Sequence, residues 1–238
     1  MISFIVPAYN EELLLGSTLD ALHSAARSVD EPFEIIVVDD DSLDRTGNVA
    51  RERGAIVMRV KNRQIAATRN SGARIARGDY LIFVDADTIV SEVILREALK
   101  VLREGAVGGG AAIRFDDRTP LYGRAIQWLA YRVYRLTRIG SGSFMFCTRD
   151  AFDRVGGFDE KLYGGEEAAM SRALRHGGRF VVLKHTVLTS GRKLRLYSFW
   201  EIMGTIVRAA LSGGKFTDKE AARIWYDGIR ETAEKSCR

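Results

Sequence analysis

Apolar and polar positions fall in blocks along this chain rather than alternating one by one. Short apolar runs at residues 1–6, 33–38, 55–60 and 80–84 are separated by stretches with helical spacing. Over residues 11–27 the apolar positions are Leu14, Leu15, Leu19, Leu22 and Ala26, one face of a helix. Further helices are expected over 44–53, over 64–77 with Gly78 as the stop, and from an N-capping Ser91 to about Arg103. Residues 107–115 read as a strand opening on three glycines. Unbroken apolar strands are buried on both faces. The pattern therefore predicts an α/β fold with a mostly parallel central sheet covered by helices.

The later part is less regular. Residues 121–138 (LYGRAIQWLAYRVYRLTR) form a basic amphipathic helix candidate. A turn at 140–143 leads into a strand at 144–146, a loop spans 158–165, and 166–176 is helical. Residues 179–188 make one strand or two. From Ser198 the chain reads as helical to near its end, with a break at Gly213-Gly214.

Ligands of such sheets bind at the carboxyl ends of the strands, and the polar clusters of this sequence lie there. Asp85-Ala86-Asp87 follows the strand YLIFV. Two carboxylates one residue apart on an extended segment point the same way. Hard oxygen ligands suit Mg2+ or Mn2+, which bridges substrate phosphates. The bland alternative is a strand end that caps the next helix. Asp39-Asp40-Asp41 follows IIVV, where a carboxylate can accept from a base N–H or a ribose hydroxyl, or cap a helix. Tyr9, after the first strand, offers a face to a nucleobase or packs under the sheet rim. Arg69 can meet base or phosphate, or sit solvated on its helix. His185 can complete a metal site or be a core histidine. Arg192-Lys193 can clamp a pyrophosphate or form an exposed basic turn. Glu166 and Glu167 open a helix, where acidic residues are common for reasons of dipole alone.

Composition narrows the setting. The 238 residues carry a formal charge of +5, which fits anionic partners such as phosphorylated small molecules or membrane headgroups without choosing among them. Two cysteines, Cys147 and Cys237, have no metal or redox spacing, so a reducing compartment is expected. The opening MISFIVPAYNEE has no basic lead and reads as a strand, not a leader. No apolar run approaches the ~20 residues of a membrane span. A cytoplasmic protein, peripheral at the inner membrane face, is the expectation.

Five segments together resemble family 2 glycosyltransferases of the GT-A fold: VPAYNE (6–11), VVDDDS (37–42), ATRNSGARIARGDYLIFVDADT (67–88), GSGSFMFCTRDAFDRVGGFDE (140–160) and GGEEAAMSRALRHGG (164–178). The resemblance covers residues 1–195. It implies a GT-A domain there, with a nucleotide-sugar-binding half (1–115) and an acceptor and catalytic half (116–195), followed by a helical extension (196–238). It implies that Tyr9 and Asp40 hold the base of a UDP- or GDP-sugar, with Pro7 and Glu11 lining that pocket and Arg69 assisting. Asp85 would approach the ribose or the metal, Ala86 would meet the donor, Asp87 would bind the metal directly, and Arg192 and Lys193 would meet the leaving diphosphate. Glu167 matches the catalytic base, although the family's Glu-Asp pair is here Glu166-Glu167, which leaves open which glutamate acts. The implied reaction is an inverting displacement at the anomeric carbon by an acceptor hydroxyl, or by a lipid phosphate.

Two other classes bear on the same residues. A nucleotidyltransferase wants a glycine-rich loop after its first strand, and here no glycine occurs before Gly16. A module of the same fold could bind nucleotide or membrane without turnover. Nucleic acid is not an expected partner.

Overall fold

A computed structural model describes residues 1–117, 119–212 and 215–227. In chain order the elements are β1 (Ile2–Ala8), α1 (Leu15–Arg27), β2 (Phe33–Asp40), α2 (Thr46–Glu52), β3 (Ile56–Val60), α3 (Ile65–Ile75), β4 (Tyr80–Val84), β5 (Thr88–Ile89) and α4 (Glu92–Arg103). There follow β6 (Gly108–Phe115), α5 (Leu121–Thr137), β7 (Phe144–Thr148), α6 (Arg149–Val155), α7 (Glu166–Gly177), β8 (Phe180–Thr189), α8 (Arg192–Leu196), α9 (Phe199–Leu211) and α10 (Arg223–Tyr226).

The strands form one sheet in the order β3-β2-β1-β4-β7-β6-β8-β5. Strands β1 to β4 run parallel, as the apolar blocks predict. The second half is more mixed than the sequence suggests. Strand β7 is antiparallel to both β4 and β6, β8 is parallel to β6, and β5 is antiparallel to β8.

Period-two alternation splits the core into two layers. Phe4, Val6, Ile82, Val84, Phe144 and Phe146 face α1 and α4. Ile5, Ile36, Val38, Phe83 and Met145 face α3, α6 and α7. Each such side chain contributes roughly 1.5–3 kcal/mol by leaving water. Helix α4 buries Ile94, Leu95, Ala98, Leu99 and Leu102, and its N-cap Ser91 accepts from Ile94 N, as expected. Glycines at β6 permit a close approach: a Cβ on Gly110 would lie 2.7 Å from Gly140 Cα. That contact seats the 140–143 turn under the strand ends.

Several boundaries differ from the expectation. The first long helix begins at Leu15 rather than Glu11, because Glu11 is buried and ion-paired. Helix α6 was not anticipated. Its N-cap Thr148 accepts from Ala151 N. The stretch expected as one strand or two over 179–188 is the single strand β8. Among the described residues after Ser198, α9 is followed by residues 215–222, which lead into α10. Ile202, Thr205 and Ile206 line the central cleft with Phe216, Trp225 and Tyr226. Gly164 and Phe216 form an antiparallel bridge, and Ile65 N donates to the Tyr226 hydroxyl. Cys147 is buried and unpaired, with its thiol pushed up by burial. Cys237 and the break expected at Gly213-Gly214 lie outside the described residues.

Candidate active site

A cleft of about 570 Å³ opens at the carboxyl ends of β1, β2 and β4. The loops that form it are tied together by short polar side chains. After β1 the chain turns at Asn10, whose positive φ of 52° an asparagine tolerates. Asn10 N donates to Ser42 Oγ, and its Oδ1 accepts from Leu43 N. Glu11 N donates to Thr46 Oγ1 at 2.7 Å. The loops after β1 and β2 are thereby locked to each other.

Asp40 lies at the end of β2, but its carboxylate serves its own chain. One oxygen accepts from Asn62 N (2.7 Å) and Arg63 N (2.9 Å), the other from Thr68 Oγ1 (3.0 Å). A carboxylate has about four lone-pair sites, so little capacity is left for a base. The loop that Asp40 holds carries Arg63, whose guanidinium lies 3.8 Å from the Tyr9 ring centre. Arg63 drew no notice in the sequence because nothing marks a lone arginine before a helix. Pro7 and Tyr9 line this end of the cleft.

Arg69 lines the cleft and is held by its neighbours. It is buried, and its Nη1 donates to Glu166 Oε1 (2.8 Å) while Nη2 donates to Asp85 Oδ1 and to Gly142 O (both 2.9 Å). Burial opposes its charge, but Asp85, Glu166 and Glu167 outweigh that and hold the guanidinium ionised beyond its usual range. Its Nε has no hydrogen-bond partner. Arg192 is likewise a buried hub. It meets Glu11 through two parallel bonds (2.6 and 2.5 Å) and Asp87 Oδ2 at 3.1 Å. Arg192 and Glu11 both line the cleft and are engaged with each other there. Lys193 lines the cleft with its ammonium 5.4 Å from the Trp225 ring, and its charge reaches Asp85.

Asp85 and Asp87 face the cleft around Ala86, whose carbonyl accepts from Thr18 Oγ1. Burial raises the Asp85 carboxyl above the ordinary range, Arg69 opposes that, and the charge of Asp87 adds to the rise. Asp87 Oδ1 also accepts from Thr189 Oγ1 at 3.3 Å. His185 is not beside them. It is four residues before Thr189 along β8, about 13 Å of strand, and its exposed ring bonds Glu97 of α4 at 2.9 Å. The expectation of His185 as a metal ligand is therefore corrected.

Among the described residues no group of three or more His, Cys, Asp or Glu could enclose a metal. Asp85 and Asp87 offer hard oxygen donors at the cleft, and Mg2+ or Mn2+ takes one or two carboxylates and completes its shell with substrate phosphates and water. A divalent charge nearby would favour the ionised form of both carboxylates. The residues present fit such an ion.

Glu166 and Glu167 open α7 behind Gly165, whose φ of 79° favours glycine. Glu166 is consumed by Arg69. Glu167 lines the cleft, and burial, then the charge of Glu166, push its carboxyl up to about 8. Facing it from α5 is Tyr134, whose phenol is pushed above its usual range by burial and by the charges of Glu167 and Asp85. Tyr134 lies within an amphipathic pattern and carried no separate signal in the sequence.

Comparison with known proteins places this geometry. A family model described as glycosyl transferase family 2 matches residues 3–156. The chain is 34% identical over 126 residues to an uncharacterized glycosyltransferase, EpsJ, of Bacillus subtilis, covering 50% of this chain and 36% of that one. It is 28% identical over 168 residues to a dolichol-phosphate mannosyltransferase of Pyrococcus furiosus, covering 66% of this chain and 45% of that one. The chain thus spans less than half the length of these relatives. A mannosyltransferase of Pyrobaculum calidifontis solved with GDP-Man and Mn2+ shares the fold, with a TM-score of 0.64 at 23% identity over 79% of this chain and 56% of that one.

Proposed function

The chain belongs to glycosyl transferase family 2 and has its GT-A fold, and from that membership we propose that it transfers a sugar from a UDP- or GDP-sugar to an acceptor hydroxyl or a lipid phosphate, with inversion. Residues 1–115 would hold the donor. The acceptor half would comprise residues 116–195 together with α9 and the stretch to Tyr226, since these share the cleft. Peripheral membrane contact through α5 belongs to the same reading.

The observation that carries it is the division of labour between the two glutamates. Glu166 is spent on Arg69, while Glu167 faces the cleft with a carboxyl held near 8. A base poised near neutrality is suited to accept a proton. Glu167 takes the proton of an acceptor hydroxyl as its oxygen bonds to the anomeric carbon and the bond from that carbon to the diphosphate oxygen breaks. Tyr134 and Arg69 set the charge around Glu167. Pro7 and Tyr9 offer the base a face, with Asp40 fixing the loop that carries Arg63. Lys193 suits the departing diphosphate. Arg192 keeps Glu11 and Asp87 in place. A divalent ion held by Asp85 and Asp87 would supply neutralising charge to the diphosphate.

The test is Glu167→Gln, assayed with a hydroxyl acceptor. Turnover should fall about 10²- to 10⁴-fold while nucleotide still raises the melting temperature. Turnover near that of the unaltered protein would remove Glu167 from the base role. Glu166→Gln should instead destabilise the fold, since it removes the negative charge that offsets the buried Arg69 guanidinium.

A further inference from the structure

Helix α5 has two faces with different tasks. Tyr122 and Ile126 pack against Ile202 of α9 in a small core, and Tyr134 reaches the cleft. The opposite face is exposed: Trp128 is 62% accessible, Leu129 56% and Leu136 81%. Between these lie the exposed Arg124, Arg132, Arg135 and Arg138, with no acidic residue anywhere in α5. The guanidinium of Arg132 lies 5.3 Å from the Trp128 ring.

Helix α9 repeats the arrangement beside it. Tyr122 and Phe199 meet edge to face at 5.4 Å. Ile202, Thr205 and Ile206 turn toward the cleft, while Trp200 (78% accessible) and Val207 (51%) face out with Arg208. Its acidic residue, Glu201, is paired with Arg223 at 3.2 Å. Nothing in the sequence had marked α9 as a partner of α5.

We propose that the outward faces of α5 and α9 form one docking surface for an anionic lipid bilayer, placing the mouth of the cleft at the headgroup level. This rests on the transfer reading only for its purpose, delivery of a lipid-linked acceptor. The occupant follows from chemistry. Aromatic and aliphatic side chains interleaved with arginines suit an interface whose outer layer is anionic and whose inner layer is apolar. A two-fold contact between copies would set the same unpaired arginines against each other. Nucleic acid would leave Leu129, Leu136 and Val207 against phosphates. Among the described residues no helix is long and apolar enough to cross a membrane, so the helices lie on the surface. At 17 residues, α5 would lie along about 25 Å of it.

The experiment is flotation with phosphatidylcholine vesicles, with and without phosphatidylglycerol. The unaltered protein should float with the anionic vesicles and stay behind with the neutral ones. Trp128→Ala with Trp200→Ala should weaken partitioning at least about tenfold. Arg132→Ala with Arg135→Ala should weaken it and flatten its salt dependence. These positions are exposed and outside the cleft, so melting temperatures and nucleotide-induced shifts should stay unchanged. No flotation of the unaltered protein would overturn the proposal, as would unchanged flotation of the tryptophan variant. So would a dimer in sedimentation velocity that the tryptophan changes dissolve, because a second copy would then be the occupant. A nucleotide-induced shift that persists when flotation fails leaves the transfer reading standing. Its absence from the unaltered protein would count against that reading instead.

Discussion

At the level of single residues, Glu166 and Glu167 are chemically identical neighbours whose surroundings separate them. One meets a buried guanidinium at 2.8 Å, and the other acts on that guanidinium through charge alone. The consequence is measurable in stability. Glu167 rises from an ordinary 4.5 to about 8 because burial disfavours its ionised form. The protonated form is the one the fold accepts, so its contribution is present at pH below 4.5. It is lost as pH climbs toward 8 and is flat above that. Relative to Glu167→Gln, the ligand-free protein should lose a few kcal/mol across that interval, at about 1.4 kcal/mol per pH unit. Denaturant melts of both proteins from pH 5 to 9 check this. Parallel stabilities over the whole range would contradict it. Asp85 and Asp87 could be found from the sequence, because their chemistry and their place at a strand end coincide. The partners of Arg69 and Arg192 could not. Those contacts span 97 and 181 residues of sequence, and only the topology brings them together. An arginine in a motif reads as a ligand group until its carboxylates are seen.

At the level of elements, the parallel strands and α3, α4 and α7 were legible, since continuous apolar runs and capping residues mark them directly. The mixed second half was not. Strand direction in β6, β7 and β8 depends on how connections cross the sheet, which residue pattern does not encode. Helix α3 shows how tightly the site-bearing elements are set. It lies on β1 and β2 through Gly72, where a Cβ would stand 2.5 Å from Ile5 Cγ2 and 2.8 Å from Val38 Cγ2. Glycine is a poor helix former by about 1 kcal/mol relative to alanine, so propensity alone favours Gly72→Ala. Both neighbours are fully buried β-branched side chains with little freedom to yield. Overpacking of about 1–3 kcal/mol should outweigh the propensity gain. Thermal melts of Gly72→Ala should show a lower midpoint than the unaltered protein, and a higher midpoint would mean α3 can shift outward. Arg69 rides on the next turn back, so the same change should loosen its hold on Glu166.

At the level of the whole molecule, the first half of the chain contributes Pro7, Tyr9, Asp85 and Asp87, and the second contributes Glu167 and the apolar Ile202 and Phe216. They share the cleft, and the C-terminal stretch to Tyr226 closes part of its rim. On the proposed reading a nucleotide-sugar occupies that cleft, with Asp87 as its link to a divalent ion. The measurement that bears most directly on this is a thermal-shift series with UDP, GDP, CDP and dTDP, each with and without Mn2+, on the unaltered protein and on Asp87→Ala. A ligand that binds only the folded state raises the midpoint, by about 2.7 kcal/mol of stability at a hundredfold excess over its Kd. The account predicts a shift with UDP or GDP that requires Mn2+ and disappears in Asp87→Ala while the variant itself stays folded. A shift that is the same without Mn2+, or that survives in Asp87→Ala, would contradict the metal assignment. No shift with any nucleotide would contradict donor binding itself.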